Sequence, residues 1–191
     1  MNSCSVKRQI PKIRVRLSAA LLFLFWIAVD RSVVSLLPIT AAVLHECGHI
    51  AAMTALGIPV GEIEISVFGA EIKSLTLNGA GAFKRCLVYL AGPLTNIVSG
   101  LLTLGAEDVT FAVCSFALAV VNLLPIRTLD GGCALFAALS RFRCADRVLD
   151  ITSGAGVFAL WLAAVYFLLL CGGNLSLLAF VFCLFAELYL T

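Results

Sequence analysis

The chain contains two histidines, His45 and His49, set four residues apart in "VLHECGHIAA", with Glu46 directly after the first. On a helix, residues i and i+4 share one face, a turn apart. Two imidazoles placed in this way can converge on one zinc ion at roughly 2.0–2.1 Å. Glu46 is turned by about 100° from His45, so its carboxylate can reach a water beside the metal while leaving the ligand positions to the imidazoles. That is the physical content of an H-E-x-x-H pattern: two nitrogen ligands and a general base. The competing reading is a hydrogen-bonded buried pair with no chemistry, or a proton or ion path through a membrane. A haem is excluded, because one helix face cannot supply both axial ligands. A membrane di-iron site is excluded, because it needs more histidine than this chain has.

A catalytic zinc needs a third protein ligand and an open position. No further histidine exists, and a cysteine ligand would favour a closed, less Lewis-acidic site. Asp130, in "TLDGG", is the acidic candidate, since Gly131 and Gly132 permit a tight turn beside it. Taken alone, such an aspartate would more commonly N-cap the helix suggested by "GGCALFAALSRF". Its inferred depth in the membrane tips the reading towards a ligand.

That depth follows from the elements that must position these residues. With 62% hydrophobic and 13% charged residues among 191, and a mean hydropathy of +1.09, the chain has the composition of a polytopic α-helical membrane protein. Its eight cysteines are scattered without a C-x-x-C, so neither a disulfide framework nor a zinc finger is expected. Apolar runs fall at about residues 15–29, 32–58, 86–105, 109–126, 150–170 and 174–191, which predicts six transmembrane helices. The basic stretch 1–14 precedes them as a cytoplasmic segment. The first run lacks a small-x-small cleavage site and reads as a retained span. With a cytoplasmic N-terminus, every lysine and arginine except Arg31 faces the cytoplasm, as the positive-inside rule requires. The second and fourth spans both descend inward, so His45, His49 and Asp130 fall at similar depth near the inner leaflet.

"HECGH", "AGPLTN" and "NLLPIRTLDGG" together resemble the site-2 protease family of intramembrane zinc metalloproteases, most closely its bacterial sporulation branch, which processes a membrane-tethered precursor of sigma-K. The resemblance covers roughly residues 15–191, which reads as one metalloprotease domain. It implies one Zn²⁺ per chain held by His45, His49 and Asp130, with Glu46 as catalytic base. It also implies that Asn122 assists substrate or oxyanion binding, and that Asn96 is the polar residue of the third-span motif. Cys47 stands where the family usually has an apolar residue, and is expected to pack rather than ligate. Sporulation-type enzymes usually carry a C-terminal nucleotide-sensing domain. Here the sequence ends with the sixth span, so no C-terminal regulatory domain is expected, and control would fall to a separate inhibitory membrane protein or to substrate supply.

Between the second and third spans, "EIEISVFGAEIKSLTL" alternates polar and apolar residues around Phe68, Gly69 and Ala70, which predicts a short β-hairpin. An exposed strand edge could pair with an unwound substrate where water is scarce. Phe68 and Gly69 of this hairpin, with Asn96 of the third-span motif that the resemblance implies, are the candidate substrate-binding residues. The expected partners are a membrane-embedded or membrane-tethered protein and the lipid bilayer, with no nucleic acid. The expected location is a cell membrane crossed several times: a bacterial inner membrane, or the mother-cell membrane around a forespore. A non-catalytic scaffold and a metal or ion transporter are the alternatives.

Overall fold

A computed structural model describes residues 12–15, 36–66, 69–74 and 76–171. The expected first and sixth spans lie outside the described residues, apart from Val15, which ends a strand. So does Phe68. By chain contacts the protein divides into two compact units, Met1–Ala119 and Val120–Thr191.

The first unit holds three strands, two long helices and most of a third. Helix α1 runs Leu37–Ala55, with a proline in its first turn. Its buried residues are Ala41, His45, Gly48, His49 and Met53, spaced as one helical face. The helix stops where Gly57 takes a left-handed φ of 69°. There the Ile58 N–H bonds to the Met53 carbonyl at 2.8 Å and the Gly57 N–H to the Thr54 carbonyl at 3.2 Å. This double closure satisfies carbonyls that the helix end leaves open, and Ile58 packs back on Met53.

Helix α2, Ala82–Thr103, also buries one face: Val88, Gly92, Pro93, Asn96 and Gly100. Val88 joins Met53, Ile58 and Leu77 in a core cluster that ties α2 to the end of α1. Gly48 lets the two helices approach closely. A Cβ there would lie 2.7 Å from the Ala91 carbonyl oxygen and closer still to the Thr95 hydroxyl. Helix α3, Thr110–Asn122, begins after Asp108 accepts a hydrogen bond from the Thr110 N–H at 2.8 Å. Its Phe116 ring rests against Gly100 of α2.

Strands β1 (Lys12–Val15), β2 (Glu62–Ser66) and β3 (Gly69–Lys73) form one sheet in that order. β2 and β3 are antiparallel, with Ser66 opposite Gly69; β1 lies parallel to β2, with Lys12 opposite Glu62. The end of the basic N-terminal segment is thus a strand, and Arg14 pairs with Glu62 at 2.7 Å.

In the second unit, residues 123–129 lead from α3 into helix α4, Asp130–Leu139, followed by α5, Ala145–Cys171. Ile126 is fully buried against Val157 of α5. The Arg127 N–H donates to the Ser153 hydroxyl at 2.9 Å, and the Arg127 guanidinium reaches Asp150 at 2.7 Å and Asp146 at 3.4 Å. Those bonds, above all the one to Asp150, hold the guanidinium pKa above its ordinary value.

Among the described residues, α2 and residues Ala145–Tyr166 of α5 are long and apolar enough to cross a membrane, while α3 and α4 are apolar but shorter. Helix α1, where the second span was expected, is not among the helices that meet this measure, and it ends at Ala55, before its apolar run does. The fifth begins five residues earlier than the run suggested, at Ala145.

Candidate metal centre

His45 and His49 are both buried on the face of α1 that meets α2. Their Nε2 atoms face each other at 3.2 Å, and the rings meet edge to face at 78° with centroids 4.8 Å apart. Each ring is held from behind by α2. Nδ1 of His49 donates to the Val88 carbonyl oxygen at 2.7 Å, a contact that places a proton on Nδ1 and turns Nε2 toward His45. Nδ1 of His45 lies 3.2 Å from the side-chain amide of Asn96, which is fully buried.

Three positions of α2 therefore serve the pair: Val88, Gly92 and Asn96, at i, i+4 and i+8 on one face. The middle one supplies space. A Cβ on Gly92 would lie 2.7 Å from Nε2 of His45 and inside contact distance of Nε2 of His49. The arrangement fits a metal. Two nitrogens bound to one tetrahedral zinc at ~2.0–2.1 Å stand about 3.3 Å apart, against the 3.2 Å found here. Glu46 is half-buried on the adjoining side of α1, and Cys47 is exposed, so α1 does not turn it into the face that carries the imidazoles.

In the second unit, Asn122 is the last residue of α3 and is half-buried, as is Asp130. Asp130 is not the N-cap. Leu129 takes that position, with extended backbone angles and its carbonyl accepting from the Cys133 N–H at 3.0 Å. Asp130 stands in the first turn, where a carboxylate is favoured by the helix dipole. The glycines that follow it are required by packing: a Cβ on Gly131 would strike the Leu123 carbonyl, and one on Gly132 the Ile126 carbonyl. Burial, with the Asp130 charge adding to it, pushes the Cys133 thiol up to about 11. It stays protonated and donates to the Arg127 carbonyl at 3.5 Å, which makes it a poor metal ligand.

Gly69 enters only through its backbone in β3. The role of Val88 was not read from the sequence, nor was that of Gly92 as the space beneath the two imidazoles. Their signal was a four-residue spacing with Asn96 on a neighbouring helix, matching the spacing of the histidines.

Comparison with curated proteins gives no match. Residues 108–171, which include Asn122 and Asp130 but not the histidines, match the model of Peptidase family M50. The structure is similar to that of the site-2 protease from Methanocaldococcus jannaschii, with a TM-score of 0.61 at 20% identity, covering 90% of this chain and 86% of that one. The chain thus shares the fold of a site-2 protease, and the matched third of its sequence supports a membrane metalloprotease of the M50 kind.

Proposed function

We propose that the protein is an intramembrane zinc endopeptidase of the site-2 type. It would cut a membrane-embedded or membrane-tethered protein near the cytoplasmic face and release a regulator such as a sigma factor from its precursor. The observation that carries the reading is the convergence of His45 Nε2 and His49 Nε2 at 3.2 Å over the gap at Gly92. His45, His49 and Asp130 are a donor set that could hold a metal ion. Two imidazoles and one carboxylate would be the donor set of a catalytic rather than a structural zinc site.

Zinc, when bound, supplies Lewis acidity: it lowers the pKa of a water toward ~7 and polarises the scissile carbonyl. Glu46 accepts a proton as the water oxygen bonds to the carbonyl carbon, then delivers that proton to the amide nitrogen as the C–N bond breaks. The Asn122 amide donates a hydrogen bond to the developing oxyanion. The six-span arrangement with a cytoplasmic N-terminus belongs to the same proposal. It rests on the distribution of lysine and arginine, and it would open the site to the cytoplasmic side of the membrane.

The test compares membrane-protein fragments, by mass spectrometry, in cells carrying wild type or Glu46→Gln. A precursor that accumulates only in the variant, with its cytoplasmic fragment missing, is expected. Identical profiles with both proteins expressed in the membrane would contradict the proposal.

A further inference from the structure

We infer that Asn96 is a positioning residue for the metal site: its side-chain carbonyl holds His45 in the one tautomer that turns the Nε2 lone pair toward zinc. The inference rests on the zinc reading above and assigns Asn96 to His45 rather than to substrate.

Two proton arrangements satisfy the 3.2 Å contact between Asn96 and His45 Nδ1. In one, the Asn96 NH₂ donates to an unprotonated Nδ1. The proton then sits on Nε2 of His45, where it points at Nε2 of His49, 3.2 Å away. That arrangement blocks one ligand atom, and it leaves Asn96 Oδ1 buried with no hydrogen-bond partner. An orphaned buried carbonyl is costly, by about 1–3 kcal/mol. In the other, the amide is turned over. Oδ1 accepts from Nδ1–H, the orphan acceptor is satisfied, and Nε2 of His45 presents its lone pair beside that of His49. Amide oxygen and nitrogen are assigned from their surroundings. A bound cation between the two Nε2 atoms selects the second arrangement, because two facing lone pairs repel without one.

Among the described residues, the contact with His45 is the side-chain hydrogen bond that Asn96 makes. It is fully buried on α2, at the helix position matching His45 on α1, just as Val88 matches His49. The two imidazoles are therefore oriented by equivalent devices, a backbone carbonyl for His49 and a side-chain carbonyl for His45. Such outer partners typically contribute 10–100-fold to metal affinity. Asn96 is fully buried and offers a substrate no exposed surface.

The experiment measures zinc affinity of the purified full chain by competition with a chromophoric chelator, for wild type, Asn96→Asp and Asn96→Leu. Both replacements keep the number and branching of side-chain heavy atoms, and only aspartate keeps the acceptor. Leucine should weaken zinc by about 10- to 100-fold, and aspartate should restore affinity to within a few-fold of wild type. The visible spectrum of the cobalt-loaded protein should be perturbed by leucine and preserved by aspartate. Equal zinc affinity in the two variants overturns the inference, as does a leucine variant that raises KM while binding zinc like wild type. A wild type that binds no zinc overturns the metal reading itself, and this inference with it.

Discussion

A methyl group on Gly92 would lie 2.7 Å from Nε2 of His45 and nearer still to Nε2 of His49. The glycine is thus the floor of the space into which both imidazoles point. Alanine at a helix interior normally gains roughly 0.5–1 kcal/mol over glycine. Gly92→Ala should nevertheless cost zinc affinity, by about 10- to 100-fold if the rings are merely displaced. Chelator competition, alongside circular dichroism to show that the helix persists, checks it. Unchanged zinc binding would mean that the imidazoles do not meet over residue 92.

Gly48 sets the approach of α1 to α2. Its added Cβ would meet the Thr95 hydroxyl and, at 2.7 Å, the Ala91 carbonyl. A backbone oxygen cannot rotate away, so Gly48→Ala should destabilise the protein by about 1–3 kcal/mol. Adding Thr95→Ala removes only one of the two obstacles and should recover part of the loss. Thermal unfolding in detergent measures both, and full recovery would show that the carbonyl contact is of no consequence.

Gly132 makes a sharper case within the second unit, because its Cβ would collide with the Ile126 carbonyl, on a residue that is fully buried. Gly132→Ala should displace residues 123–129 and cost both stability and proteolysis. Gly79→Ala, whose Cβ would meet nothing nearer than 3.6 Å, should cost neither. Comparable losses in the two variants would contradict the packing argument.

Asp108 gives a pH signature away from the metal. The Thr110 hydroxyl, then its backbone N–H, holds the Asp108 carboxyl below its ordinary 3.8. A lowered folded-state pKa means the stabilisation is present above the ordinary value and is lost as pH falls through the lowered one. Wild type should therefore melt above Asp108→Ala at pH 7, with the gap closing in acid below the folded pKa. A gap that persists there would place the effect elsewhere than the carboxylate.

The histidine face was legible because a four-residue spacing has one geometric meaning on a helix, and α1 buries His45 and His49 together. Its partner face was not. Val88 acts through a backbone carbonyl that any residue would offer, and Gly92 acts through what it lacks, so neither stands out in an apolar run. The sequence favours Asp130 as a ligand over the commoner role of a cap, and the backbone angles put Leu129 in the cap position. The strand Lys12–Val15 was hidden because a basic run reads as a topology signal. Its parallel partner lies some fifty residues on, with Lys12 opposite Glu62. Periodicity reports neighbours along an element, and parallel pairing is a relation between distant ones.

The most direct measurement is the zinc content of the purified full chain, with X-ray absorption at the zinc edge, for wild type, His45→Ala and His49→Ala. The account predicts about one zinc per wild-type chain, in a shell of nitrogen and oxygen at ~2.0–2.1 Å, lost in both variants. Wild type that takes up no zinc, or alanine variants that retain it with the same shell, would contradict the claim that His45 and His49 hold a catalytic metal.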